Sequence, residues 1–191
     1  MKSISIFHLF IAINLLFHSF PTFAQSKFQV GPETELKILG TSTLHDWEMV
    51  SSEATGEGLL QIQNGKLQQV QSLRVAMPAE SIKSGKNAMD KNTYAALNTK
   101  KNKQIIFELV EMANSGADTW KVDGNFTIAG VTKPASFEVK GTQVGEDYRF
   151  VGEYPFKLTD YSIDPPTALL GTVKTGNEVS MQFKIMMQPA H

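Results

Sequence analysis

Residues 120–128 alternate without a slip, with Trp120, Val122, Gly124, Phe126 and Ile128 on one side and Lys121, Asp123, Asn125 and Thr127 on the other. A two-residue period places the first set on one face of a strand, so this segment predicts a half-buried strand. Residues 178–187 repeat the pattern, Val179, Met181, Phe183, Ile185 and Met187 opposing Ser180, Gln182 and Lys184. Ala135, Phe137 and Val139 alternate with Ser136, Glu138 and Lys140, and Leu73, Val75 and Met77 with Arg74 and Ala76. Further strands are predicted over 34–40, 44–57, 58–63, 104–112, 142–144 and 148–158. Asn64-Gly65 is a strong hairpin signal, and Gly130, Gly145-Glu146-Asp147 and Gly176-Asn177 read as looser turns.

One segment departs from this period. Over residues 86–97, Met89, Tyr94 and Leu97 fall near helical spacing among good helix formers, and Asn98 follows as a stop. The prediction is one short helix crossing outside a meander of strands. Residues 160–169 predict a helical turn or an irregular loop, because Pro165-Pro166 cannot join a sheet ladder. No internal repeat or linker divides the chain. About eight or more strands with one apolar face each make a sandwich or a closed barrel, and periodicity does not separate the two. A barrel of roughly eight strands has an interior that side chains fill or that holds one small ligand.

Composition changes the picture at the N-terminus. Lys2, the apolar run over residues 4–17, Pro21 and the small residues at Thr22 and Ala24 read as an export signal over residues 1–24, with an uncleaved anchor as the rival reading. The expected mature domain is 25–191, with a periplasmic or secreted location. Loss of the leader's single lysine leaves seventeen basic and nineteen acidic residues, a net charge of −2. No basic excess marks a nucleic-acid binder. No later apolar run spans a membrane, so no stable insertion is expected after cleavage. With no cysteine, the fold has no disulfide framework, thiol chemistry or thiolate metal site.

Candidate chemistry begins with Ser42, His45 and Asp46, the residue types of a hydrolase triad. Neighbours on a strand point to opposite faces, so His45 and Asp46 are not disposed as base and orienter, and no Gly-x-Ser-x-Gly elbow occurs. The reading preferred here is structural: the hydroxyls and His45–Asp46 bond nearby backbone where a strand begins, and Trp47 enters the core. Beyond the leader only His45 and His191 remain, without metal-ligand spacing, and the scattered Asp147, Asp160 and Asp164 form no calcium loop. Glu146-Asp147 reads as a solvated turn. No catalytic residue, metal site or cofactor is predicted.

The apolar faces carry more. Met77, Phe107, Leu109, Phe126, Phe137, Phe150, Met181 and Phe183 are large inward candidates, rich in aromatic and thioether groups. They read as plain core or as the lining of a tunnel that adapts to a chain-like ligand.

The stretch Gly40-Thr-Ser-Thr-Leu-His-Asp-Trp47 resembles the opening signature of the YceI-like family. Residues 123–134, Asp-Gly-Asn-Phe-Thr-Ile-Ala-Gly-Val-Thr-Lys-Pro, are similar to its "G-x-L-T-I-x-G-V-T-K-P" hairpin, with Ala129 where His is often found. Residues 89–97 with Gln104-Ile-Ile-Phe107, and residues 176–187, resemble its helix, next strand and last strand. The resemblance covers nearly the whole mature chain. It implies a mainly β fold, a lipocalin-like extended antiparallel β-barrel with one short crossing α-helix. It also implies export to the periplasm, no enzymatic activity, and a polyisoprenoid or similar amphiphile held in an apolar tunnel. A homodimer is an open alternative to the monomer. Three functions compete: a periplasmic carrier or sink for an isoprenoid chain, an envelope interaction module with a filled barrel, and an enzyme of unknown type.

Overall fold

The computed structural model describes residues 24–64 and 66–190. The expected leader therefore lies outside the described residues except for Ala24, as do Gly65 and His191. The described residues form eleven strands: β1 (Ala24–Val30), β2 (Glu35–Ser42), β3 (Trp47–Ser51), β4 (Thr55–Gln63), β5 (Lys66–Pro78), β6 (Gln104–Asn114), β7 (Thr119–Ile128), β8 (Val131–Val144), β9 (Asp147–Lys157), β10 (Thr167–Ala168) and β11 (Val173–Pro189). Among the described residues there is one α-helix, α1 (Asn87–Leu97), between β5 and β6.

All strand pairings are antiparallel. β1 hydrogen-bonds both β4 and β11, which closes the ring β1-β4-β5-β6-β7-β8-β9-β11 into an eight-stranded barrel. β2 and β3 extend two of these staves. β2 pairs with β11 from Lys184 back to Thr175, beyond the stretch where β11 meets β1, and β3 pairs with β2. On its far side β3 makes only the bridge Val50–Lys83, so a gap opens in the wall there. The helix closes that gap: Thr93 Oγ1 donates to Met49 Sδ at 3.3 Å, and Tyr94 Oη lies 2.9 Å from the carbonyls of Glu80 and Ile82. Asn98 ends the helix at φ 49°, its N–H reaching Ala95 O and Tyr94 O. A short amide side chain tolerates this left-handed position, which explains why the stop falls there.

Two-residue connections set the register at three other joints. Ile128 pairs with Val131 across Ala129 (φ 50°) and Gly130 (φ 81°), the geometry of a type I′ turn. Val144 pairs with Asp147 across Gly145, and Gln63 pairs with Lys66 with Asn64 at φ 51°.

Three expectations are corrected. The strand predicted over 44–57 is interrupted: residues 43–46 form a loop, and residues 52–54 separate β3 from β4. The segments around 135–139 and 142–144 are one strand, β8. Gly176-Asn177 is not a turn but a register shift inside β11 between Thr175 and Val179. β1 was not expected at all, since Phe28 is its only buried hydrophobic among the residues whose burial is described.

Candidate functional site

The inward column of each stave runs along the barrel axis, and the columns change character at one level. Near the end carrying α1, Ile38 of β2, Ile105 of β6, Ile128 of β7 and Phe156 of β9 face a cavity of about 340 Å³. The helix contributes Met89, Thr93 and Ala96 to its wall, at the three- and four-residue spacing of one helical face. Trp47 and the 43–46 loop border its mouth together with residues 166–169. The rim exposes Leu44 and Leu169.

One step further along the same strands the lining becomes aromatic. Phe107 and Phe126 face each other across β6 and β7 with ring centroids 4.8 Å apart. Phe126 stacks on Tyr154 at 4.7 Å, and Tyr154 stacks on Phe156 at 5.4 Å. Phe137 packs against Phe107, Phe126, Tyr154 and Phe183 at 5.6–6.0 Å. Two glycines make the crowding feasible: a Cβ on Gly124 would strike the Phe107 ring, and one on Gly152 the Phe183 ring. Beyond this plug lies a second void of about 60 Å³, bordered by Val70, Met112, Val122 and Ile185 among others.

Polar groups are few and mostly engaged locally. Ser42 Oγ donates to His45 O at 2.8 Å and accepts from the N–H groups of Leu44 and His45 at 3.2 Å. His45 Nδ1 lies 2.6 Å from Asp46 O, and Trp47 Nε1 donates to Thr41 O at 2.8 Å. Ser42 and His45 thus bond to backbone of their own loop rather than to each other's side chains. Tyr161 is fully buried, its hydroxyl 3.1 Å from that of Tyr154 and its ring edge-on to Phe156. Burial pushes its phenol well above the usual range, and the Tyr154 hydrogen bond adds to this. At the start of the helix, Asp90 accepts from the Ser84 hydroxyl at 2.6 Å and from its N–H at 2.8 Å, and these bonds lower its carboxyl pKa. Among the described residues no cluster of three or more His, Asp or Glu could hold a metal ion. The arrangement is built to enclose apolar matter.

The profile of the YceI-like domain matches residues 22–187 of the sequence. The chain belongs to the YceI-like family. A UPF0312 protein of Serratia proteamaculans strain 568 is 34% identical over 99 residues, which are 48% of this chain and 51% of that one. The chain spans about half the length of the curated relatives it matches. Among solved structures, Burkholderia cenocepacia BcnA superposes with a TM-score of 0.67 at 17% identity, covering 80% of this chain and 95% of that one. A polyisoprenoid binding domain from Saccharophagus degradans, implicated in plant cell wall breakdown, superposes with a TM-score of 0.65 at 9% identity, covering 87% of this chain and all of that one. At these identities the two likenesses bear on the fold alone.

Within this YceI-like barrel the eight residues singled out from the sequence divide by level. Met181 borders both voids. Phe107, Leu109, Phe126, Phe137, Phe150 and Phe183 border the smaller one. Met77 is buried and borders neither. The walls of the larger cavity, notably Ile38, Met49, Ile128 and the helix face at Met89 and Ala96, were not singled out as lining. The helical spacing of Met89 and Ala96 was the available signal.

Proposed function

We propose that this protein binds lipid without catalysis, holding an apolar or amphiphilic chain of the isoprenoid type in the cavity between α1 and the aromatic plug. The observation that carries the reading is that cavity itself: about 340 Å³ of space with almost wholly apolar walls, retained inside an otherwise packed barrel. Moving an apolar chain from water onto such walls is favourable. Burial of the chain contributes about 25 cal/mol per Å² before the costs of association, so no charged group is needed for retention. The Saccharophagus neighbour, named for polyisoprenoid binding, supports the same ligand class. With the leader read from residues 1–24, the site of action is the periplasm or the exterior of a bacterial envelope.

The test is to purify the protein from a bacterial periplasm under mild conditions and identify extracted lipid by mass spectrometry. A stoichiometric isoprenoid or quinone is the expected result. An empty protein that takes up no quinone or polyprenol would overturn the proposal. The plug favours a second reading, an envelope interaction module with a filled barrel, because aromatic rings pack the interior beyond the larger cavity and leave only about 60 Å³ there. On that reading the protein purifies empty and stays empty.

A further inference from the structure

Resting on the lipid-binding reading, we infer that the aromatic plug acts as a ruler, and that the cavity accepts an apolar chain of about three isoprene units rather than a long polyprenyl chain. Capacity follows from volume. A dry cavity of about 150 Å³ accepts benzene, roughly 25 Å³ per carbon, so the cavity here accommodates about fourteen carbons. Eight isoprene units would need about 1,000 Å³ on the same scale. The second void adds room for only about two carbons, and the plug stands between the two spaces.

The floor is built from several strands, which fixes its height. Phe156 faces the large cavity, Tyr154 stacks behind it, and Phe126 behind that borders the small void. Tyr154 is held at its hydroxyl by fully buried Tyr161. A ring in such a stack has neighbours on both faces, so it cannot step aside without displacing them. A chain entering at the rim meets this floor, and any remainder emerges past Leu44 and Leu169 into water or a membrane. Affinity rises about fourfold for each CH₂ buried and stops rising when the floor is reached.

The test is a series of prenyl alcohols: geraniol, farnesol, geranylgeraniol and octaprenol, measured by competition against a fluorescent fatty-acid probe and by native mass spectrometry. Farnesol is expected to bind at least about tenfold tighter than geraniol, with less than about a threefold gain for the longer members. Tyr154→Ala removes the ring stacked between Phe156 and Phe126, which should open the floor toward the smaller void and move the plateau to geranylgeraniol. Tyr154→Leu serves the same end if the alanine variant fails to fold by circular dichroism. If octaprenol binds one-to-one about tenfold or more tighter than farnesol, the ruler fails while lipid binding stands. An unmoved plateau in a folded Tyr154 variant also overturns the ruler. If no member of the series binds, the lipid-binding reading itself fails.

Discussion

Phe126 and Tyr154 stack almost face to face, with ring centroids 4.7 Å apart and planes inclined by 14°. They reside on β7 and β9, which are not neighbours in the sheet, so the contact spans the barrel interior. Stacked aromatic pairs add about 0.5–1.5 kcal/mol to what their burial supplies. Phe126 is also in contact with Phe107 and Phe137, and only 5% of it is exposed. Phe126→Ala should therefore cost about 3–5 kcal/mol, as deletion of a packed core ring does. Urea unfolding followed by tryptophan fluorescence measures this. A loss under about 1 kcal/mol would mean that the ring lines open space instead of packing.

The buried phenol of Tyr161 links stability to alkaline pH. Its folded-state pKa is raised above the value near 10 of an unfolded tyrosine, so the folded chain keeps its proton where the unfolded chain releases it. The associated stability is complete below about pH 10 and is lost as pH rises beyond that. Tyr148, raised by burial in the same direction, adds to the decline. Melting temperature should fall as pH rises above about 10, and Tyr161→Phe should flatten that fall while costing about 1 kcal/mol at neutral pH for the lost hydrogen bond. Equal alkaline slopes in the two proteins would contradict the assignment.

The strands were readable in the sequence because inward positions repeat at every second residue in β5, β7, β8 and β11, whereas their closure into a barrel was implied by the family resemblance and not by that period. The level at which inward residues meet was not readable. Phe107, Phe126, Phe137, Tyr154 and Phe183 converge from five strands, and only the hairpin registers bring them to one height. Alternation names the inward face but carries no axial coordinate, so the same residues read equally well as tunnel lining or plug. The break at residues 52–54 and the bulge at 176–178 were hidden for a similar reason. The break falls where the chain leaves β3, paired with β2, for β4, paired with β1 and β5, and the bulge lies in the pairing of β11 with β2, so both depend on distant segments. β1 was obscured because its apolar content is slight and it adjoins the leader signal.

The hairpin between β7 and β8 asks an alanine to adopt a conformation better suited to asparagine or glycine. Ala129 sits at φ 50° with Gly130 at φ 81°. A left-handed conformation costs an ordinary L-residue roughly 1–2 kcal/mol, and asparagine relieves part of this through its local hydrogen bonds. Ala129→Asn should raise stability by about 0.5–1 kcal/mol, read from the urea midpoint at unchanged slope. A destabilised variant would show that the Ala129 methyl, half-buried against the core, matters more than the backbone.

The 43–46 loop separates structure from binding. Ser42 Oγ makes three bonds to the loop's backbone, whereas His45 makes one from an exposed position. Ser42→Ala should cost about 1 kcal/mol, and His45→Ala less, with lipid uptake by His45→Ala within about threefold of wild type. A folded His45→Ala protein that had lost its ligand would reinstate this residue as part of the site.

The sharpest separation between an occupied cavity and an idle one comes from filling it. Ala96 on α1 is half-buried and contributes only a methyl to the cavity wall. A leucine there adds three carbons directed into space that is otherwise unfilled, so no neighbour must move. Cavity-filling substitutions commonly stabilise by about 0.5–2 kcal/mol. The added side chain also occupies roughly 75 Å³ of the 340 Å³, at about 25 Å³ per carbon. Ala96→Leu is therefore expected to melt at the same or a higher temperature than wild type while binding farnesol at least about tenfold more weakly, since three carbons of burial are lost at about 0.8 kcal/mol each. Calorimetric melting and probe displacement on the same preparation give both numbers. Unchanged binding in a stabilised Ala96→Leu protein would place the ligand outside this cavity, and a destabilised variant would mean that the space is smaller than the side chain that enters it.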